Sequence, residues 1–236
     1  MKTSLLCFPS AGAGVVSYRQ WLNAFPPHVE VIPVELPGRG ARAKEKPFTD
    51  VRALAHTLAP TLVSLMNQPY ALFGHSLGAL LAFEIACVAD TAPVHLFVSA
   101  HRAPDCRQTA HALHDLPDAA LCRELARLGG MSEILLREPE LMSLLLPSIR
   151  ADLQMTETYI CDAAPRVLPC AVTAYAGIGD ERVPMAQMEG WGRRTDRCFR
   201  LHALEGGHFY LQRPGCPLVT MIAAALTESA AQSCRA

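Results

Sequence analysis

Phe73-Gly74-His75-Ser76-Leu77-Gly78-Ala79-Leu80-Leu81 sets a histidine and a serine between two glycines, behind the apolar run Tyr70-Ala71-Leu72 and ahead of ALLAFEIA. A short apolar run that ends at glycine reads as a buried strand, and the Leu/Ala-rich stretch after it reads as a helix. G-x-S-x-G between a strand and a helix is the nucleophile-elbow pattern. Its serine needs a sharp, strained turn so that the hydroxyl stands off the strand tip, and the glycines let strand and helix approach closely. The first amides of the new helix point the same way, so negative charge developing there meets aligned N–H dipoles.

Outward from this turn, apolar runs alternate with stretches of helical period. SLLCFP (4–9), VEVIPVEL (29–36), YALFGH (70–75), HLFVSA (95–100), AVTAYAG (171–177) and FRLHALE (199–205) read as strands. Helices are expected over 17–24, 50–67, 77–90, 186–195 and 216–230. This alternation predicts an α/β fold: a mostly parallel central sheet flanked by helices, with functional residues at the carboxyl ends of the strands. The chain, 1–236, is expected to form a single domain, long enough to bury roughly three quarters of its unfolded surface.

Residues 101–170 break the rhythm, because they hold no strand candidate. Pro117 suits the first turn of a helix ending at Gly129-Gly130, and Pro139 suits another start, with a kink or break expected at Pro147. Leu141, Leu144, Leu145, Ile149, Leu153 and Met155 give this region a broad apolar stripe. It is read as a helical lid insertion over 107–165 whose apolar face lines a pocket, against the plainer reading of an extra helical layer that completes the core.

Composition narrows the functional classes. Half the residues are hydrophobic and 18% charged, and 21 Lys plus Arg offset 22 Asp plus Glu. A near-neutral chain carries no field of one sign, so neither nucleic acid nor an anionic membrane is expected as a partner. Nine cysteines are scattered without a C-x-x-C pair, which suits a reducing cytoplasm better than a disulfide or zinc scaffold. No apolar run reaches the roughly 18 residues of a membrane span.

A serine hydroxyl is a weak nucleophile near neutral pH and needs a base. His208, in EGGHFYL just past the last strand candidate, stands where this architecture places its base, last in the order Ser, acid, His. His75 should point away from the serine beside it, His202 falls within a strand, and His111 with His114 lack a third metal ligand. A carboxylate must orient the imidazole. Asp180, in YAGIGDERVP after the penultimate strand, is the favoured acid, with Asp105 of HRAPD as first alternative and adjacent Glu181 as a second. Two backbone donors complete the oxyanion site: the Leu77 amide, and one from the FPSAGAG loop, assigned to Ala11 with Ser10 or Gly12 as alternatives.

These pieces together resemble the type II thioesterases, discrete α/β-hydrolases that accompany polyketide synthases and nonribosomal peptide synthetases in secondary metabolism. The similarity spans nearly the whole chain: CFPSAGAG, VELPGRGAR, FGHSLGA, VSAHRAP, LARLGG, LLLPSIRADL, GIGD and GGHFYL in order. It implies hydrolysis of acyl thioesters from the phosphopantetheine arm of acyl- or peptidyl-carrier proteins through an acyl-enzyme, to clear stalled or aberrant groups. It also implies a helical lid and no cofactor beyond the pantetheine that arrives with the substrate. A cytoplasmic monomer tolerant of short to medium acyl chains is expected. Arg39 and Arg42 in LPGRGAR are read either as contacts for the arm's phosphate or, in preference, as ties holding their own loop. The rival functions are an esterase for free small esters and a non-catalytic acyl- or carrier-binding protein.

Overall fold

A computed structural model describes residues 2–162, 164 and 166–233. Six strands, β1 (Thr3–Phe8), β2 (Val29–Pro33), β3 (Tyr70–His75), β4 (His95–Ser99), β5 (Ala171–Gly177) and β6 (Phe199–Leu204), form one sheet. Their order is β2-β1-β3-β4-β5-β6, and all five pairings are parallel. Each predicted strand is present, with ends shifted by a residue or two, except that β2 stops at Pro33 rather than at position 36. Pro33 sits on an edge strand, where its missing N–H costs the sheet nothing.

Period-two alternation divides the strand residues between two cores. Leu6, Phe8, Leu72, Leu96 and Val98 face α1 (Val51–Met66) and α2 (Leu77–Val88). Leu5, Cys7, Ala71, Phe73 and Phe97 face Tyr18 and Trp21 and the last helix, which carries Leu218 and Ile222. α1 begins on Asp50, whose side chain accepts from the Arg52 and Ala53 amides at 2.8 and 2.9 Å. Of the remaining expected helices, 17–24 is a 3-10 segment, Val15–Asn23.

Between β4 and β5 lie α3 (Asp118–Leu128), α4 (Glu133–Leu136) and α5 (Pro139–Glu157). α3 ends on Gly129, which takes the left-handed conformation (φ 76°) of a helix C-terminus. Two expectations for this region are met only in part. α5 runs unbroken through Pro147: both Pro147 and Ser143, whose carbonyl loses its partner, face solvent, where water serves instead. Of the expected apolar stripe, Leu145, Ile149, Leu153 and Met155 face inward, and Leu141 and Leu144 do not. Met142, Leu146, Ile149 and Leu153 form a small core with Leu113 and Leu121, whereas Leu144 is 76% exposed and Leu141 49%.

After β5 come α6 (Met185–Glu189) and, following β6, α7 (Leu218–Ser233). The expected helix 186–195 is thus short, continuing as a 3-10 segment over Gly190–Arg194. The insert is also tied to the elbow helix. Glu84, buried on α2, accepts from the Tyr159 hydroxyl at 2.6 Å and from Arg166 Nη2 at 2.7 Å. Among the described residues no helix is long and apolar enough to cross a membrane.

Candidate active site

Ser76 follows β3 directly, with φ 54° and ψ −119°, a conformation that non-glycine residues rarely adopt. Its amide donates to the Ser99 carbonyl at 2.8 Å, which pins the turn to β4. The flanking glycines are required by contact. A Cβ on Gly74 would lie 2.0 Å from the Gly78 carbonyl oxygen, and one on Gly78 would lie 2.1 Å from that of Phe8. Serine is a favoured helix N-cap, yet here the side chain makes no capping bond to α2. Its hydroxyl turns instead to His208, whose Nε2 lies 3.0 Å from Ser76 Oγ.

His208 is placed by the continuation of strand pairing beyond β5 and β6. The Ile178 amide donates to Leu204 and that of Gly179 to Gly206, both at 2.8 Å, so the two loops travel together off the sheet. Gly177 permits the approach, because a Cβ there would lie 2.5 Å from the Gly207 oxygen. Asp180 sits on the neighbouring loop with Oδ2 2.8 Å from His208 Nδ1. Its Oδ1 accepts from the amides of Arg182 and Val183 at 3.0 and 3.1 Å, which fixes the plane of the carboxylate. With Nδ1–H donated to Asp180, Nε2 is the lone-pair nitrogen that can accept the serine proton.

The alternatives are engaged elsewhere. Asp105 binds Arg193 Nε at 2.8 Å and Arg194 Nη2 at 3.2 Å. Glu181 pairs with Arg127 Nη1 at 2.7 Å on the surface. His75 points away from Ser76, its Nδ1 2.8 Å from Ser99 Oγ, and burial holds its imidazole well below the usual histidine range. His202 stacks on Tyr175 at 5.6 Å, and His114 Nδ1 is 2.6 Å from Glu157 Oε2. Arg39 and Arg42 tie loops: Arg39 to Ala13 and Asp152, and Arg42 to Glu35 and Glu45. For the second oxyanion donor, Gly12 is already used, since its amide donates to Asp152 at 2.8 Å.

Above Ser76 lies a cavity of ≈ 270 Å³. The sheet side contributes Ser10, Ala11, Ser76, His208 and Phe209; the insert contributes Leu125, Leu128, Met131, Leu135, Leu145 and Leu153. Sequence reasoning missed its polar walls, His101 and Arg182. His101 Nδ1 donates to the Arg102 carbonyl at 2.7 Å, and burial, aided by the Arg102 charge, lowers its pKa to about 3. That ring stays neutral and offers Nε2 as an acceptor. It missed Asp152 as well, although an acid three residues after Ile149, on the apolar side of a helix, signals a buried charge that must find partners.

The family profile described as "Thioesterase domain" matches residues 3–224. The chain belongs to the thioesterase family. Gramicidin S biosynthesis protein GrsT of Aneurinibacillus migulanus is 37% identical to it, over 89% of this chain and 83% of that protein. Among solved structures, the RedJ thioesterase of prodiginine biosynthesis in Streptomyces coelicolor superposes with a TM-score of 0.87 at 36% identity, covering 94% of this chain and 85% of the other. The type II thioesterase BorB from the borrelidin biosynthetic cluster gives 0.85 at 36% identity, covering 97% and 93%. The thioesterase therefore has the α/β-hydrolase fold, with the insert between β4 and β5 as its addition to the sheet.

Proposed function

We propose that the protein is a type II thioesterase that hydrolyses acyl groups from the phosphopantetheine arm of acyl- or peptidyl-carrier proteins in polyketide or nonribosomal peptide biosynthesis. The observation that carries this reading is the relay from Asp180 through His208 to Ser76, 2.8 and 3.0 Å per step, at the floor of an apolar cavity in a chain of the thioesterase family. His208 takes the Ser76 proton as Oγ attacks the thioester carbonyl, and the tetrahedral oxyanion rests on the Leu77 and Ala11 amides. The C–S bond breaks, and the protonated imidazole returns its proton to the departing thiolate. A water molecule, deprotonated by the same nitrogen, then attacks the acyl-serine; the acid leaves and Ser76 recovers its proton.

So written, the chemistry needs no metal or organic cofactor from the protein; the pantetheine belongs to the substrate. The insert acts as a lid, with its leucines facing the acyl chain, and the enzyme works as a cytoplasmic monomer on short to medium chains. Each added or missing methylene shifts binding by only about 1–3 kcal/mol, which favours tolerance over strict selection.

The test is mass spectrometry of an acylated carrier protein incubated with wild type and with Ser76→Ala. Loss of the acyl mass with wild type alone supports the proposal. Equal activity on free small esters and on carrier-bound thioesters would favour the esterase reading. No covalent adduct with a serine-directed phosphonate would favour a binding protein.

A further inference from the structure

Asp152 lies on α5, in the insert, and is completely buried. A carboxylate taken out of water is tolerated only with partners that satisfy it, and those partners converge on a single turn. Oδ2 accepts from the Gly12 amide at 2.8 Å, and Oδ1 accepts from Arg39 Nη2 at 2.6 Å. Arg39 Nη1 in turn donates to the Ala13 carbonyl at 2.9 Å. These three bonds enclose the Gly12–Ala13 peptide. The turn is closed beneath them by the Ala13 amide donating to the Ser10 carbonyl at 3.0 Å, with Gly12 at φ 72°. Ile149, one helical turn before Asp152, sits 2.9 Å from where a Gly12 Cβ would project. The loop is thus gripped by α5 through both a hydrogen bond and a close apolar contact.

Resting on the serine-hydrolase reading above, we propose that Asp152 is a positioning residue: from the insert, and through Arg39, it sets the turn that carries the Ala11 amide. Seating α5 and completing the pair of oxyanion donors are then one event. Two features favour this over a role in stability alone. A buried ion pair is often matched in stability by apolar residues of similar volume, so stability by itself does not require the carboxylate. Its partners also belong to the loop that must come within a hydrogen bond of the reacting carbonyl, with Ser10, Ala11, Gly12 and Ala13 all lining the cavity over Ser76. Because Gly12 spends its amide on Asp152, the grip removes one competing donor.

The experiment measures the rate at which an alkyl fluorophosphonate labels Ser76, alongside kcat and KM on a small acyl thioester, in wild type, Asp152→Leu and Asp152→Ala. Fluorophosphonate capture needs the nucleophile and the oxyanion donors but no thioester or carrier. It therefore judges Asp152 even if the proposed substrate proves wrong, while Ser76→Ala tests the serine reading separately. Removing an oxyanion donor outright costs about 100- to 1000-fold, so misplacing one should slow labelling and kcat by about 10- to 100-fold. Labelling should still run to completion, KM should stay within about threefold, and the midpoint of the pH–rate profile should not move, because the relay itself is intact. Asp152→Leu keeps the branched shape should Asp152→Ala fail to fold. Labelling within about threefold of wild type in either folded variant overturns the proposal. So does a reduced labelled fraction in which the remaining molecules react at the wild-type rate.

Discussion

The elbow and the insert meet over the same serine but are held in place differently. From Tyr70 to Ala86 every residue except Ser76 is buried, and the contacts that shape the turn are backbone against backbone. The insert covers a small core of its own with long aliphatic side chains and still leaves Leu144 and Ile134 more than three quarters exposed (76% and 77%). Where the chain packs main chain on main chain, residue identity and position are inseparable. Where it packs a helix face, the face can turn without changing the list of residues.

On that contrast, the largest effects of substitution belong to the elbow and its partners. Asp180→Asn should lower kcat by about 10³–10⁴ with the fold retained, whereas Asp105→Asn should leave kcat within about twofold. Steady-state kinetics on an acyl thioester checks both, and a larger loss from Asp105 would mean that the wrong acid has been assigned. Gly78→Ala forces a Cβ to within 2.1 Å of the Phe8 oxygen and should cost about 4 kcal/mol or more, visible as a collapse of the thermal midpoint or of soluble yield. A variant that melts like wild type would show that β1 and α2 can part after all.

Titration of buried imidazoles is the next effect in size. Burial lowers the pKa of His95 to about 4 and that of His101 to about 3, and it holds His75 low as well. A histidine kept neutral in the fold and free to protonate when unfolded stabilises the fold fully above its unfolded value near 6.5. That stabilisation is lost as pH falls toward the folded pKa. Denaturant titrations between pH 7 and 4 should therefore show stability falling by about 1.4 kcal/mol per pH unit for each such group below pH 6.5. His95→Gln, which keeps a polar group near Thr173 and Ser229, should flatten the slope by one such increment. An unchanged slope would mean that His95 does not stay neutral.

The smallest effects should lie on the outer face of the insert. Leu144→Ser should change stability by less than about 0.5 kcal/mol, while Leu146→Ala, two residues along the same helix, should cost about 2–5 kcal/mol. Chemical denaturation of the pair separates the two faces of α5, and equal losses would contradict the orientation described here.

Legibility followed the same division. The strands could be read because a buried parallel strand is a short apolar run with turn residues at its ends, and such a run has little choice of neighbours. Ser76, Asp180 and His208 could be nominated because each stands within four residues of a strand end, where chain order and loop position point to it. The stripe on α5 was read in part: Leu145, Ile149, Leu153 and Met155 face inward, but Leu141 and Leu144 are as apolar as Met142 and Leu146, and helical period alone does not say which arc is covered. No break occurs at Pro147, because a proline on the solvent side of a helix gives up one hydrogen bond that water replaces.

The linear chain by itself determined the alternation of strand and helix, the turn at Gly74–Gly78, and the order of serine, acid and base. These are local matters of steric allowance and burial, decided within a few residues of each position. Only the folded molecule decided which carboxylate reaches His208, that the Gly12 amide of the first loop is already engaged, and that Asp152, 140 residues away from Gly12 along the chain, grips it from the insert. Hydrogen bonds between distant segments depend on angles and distances of a fraction of an ångström, and no pattern along the chain encodes those until packing has set them.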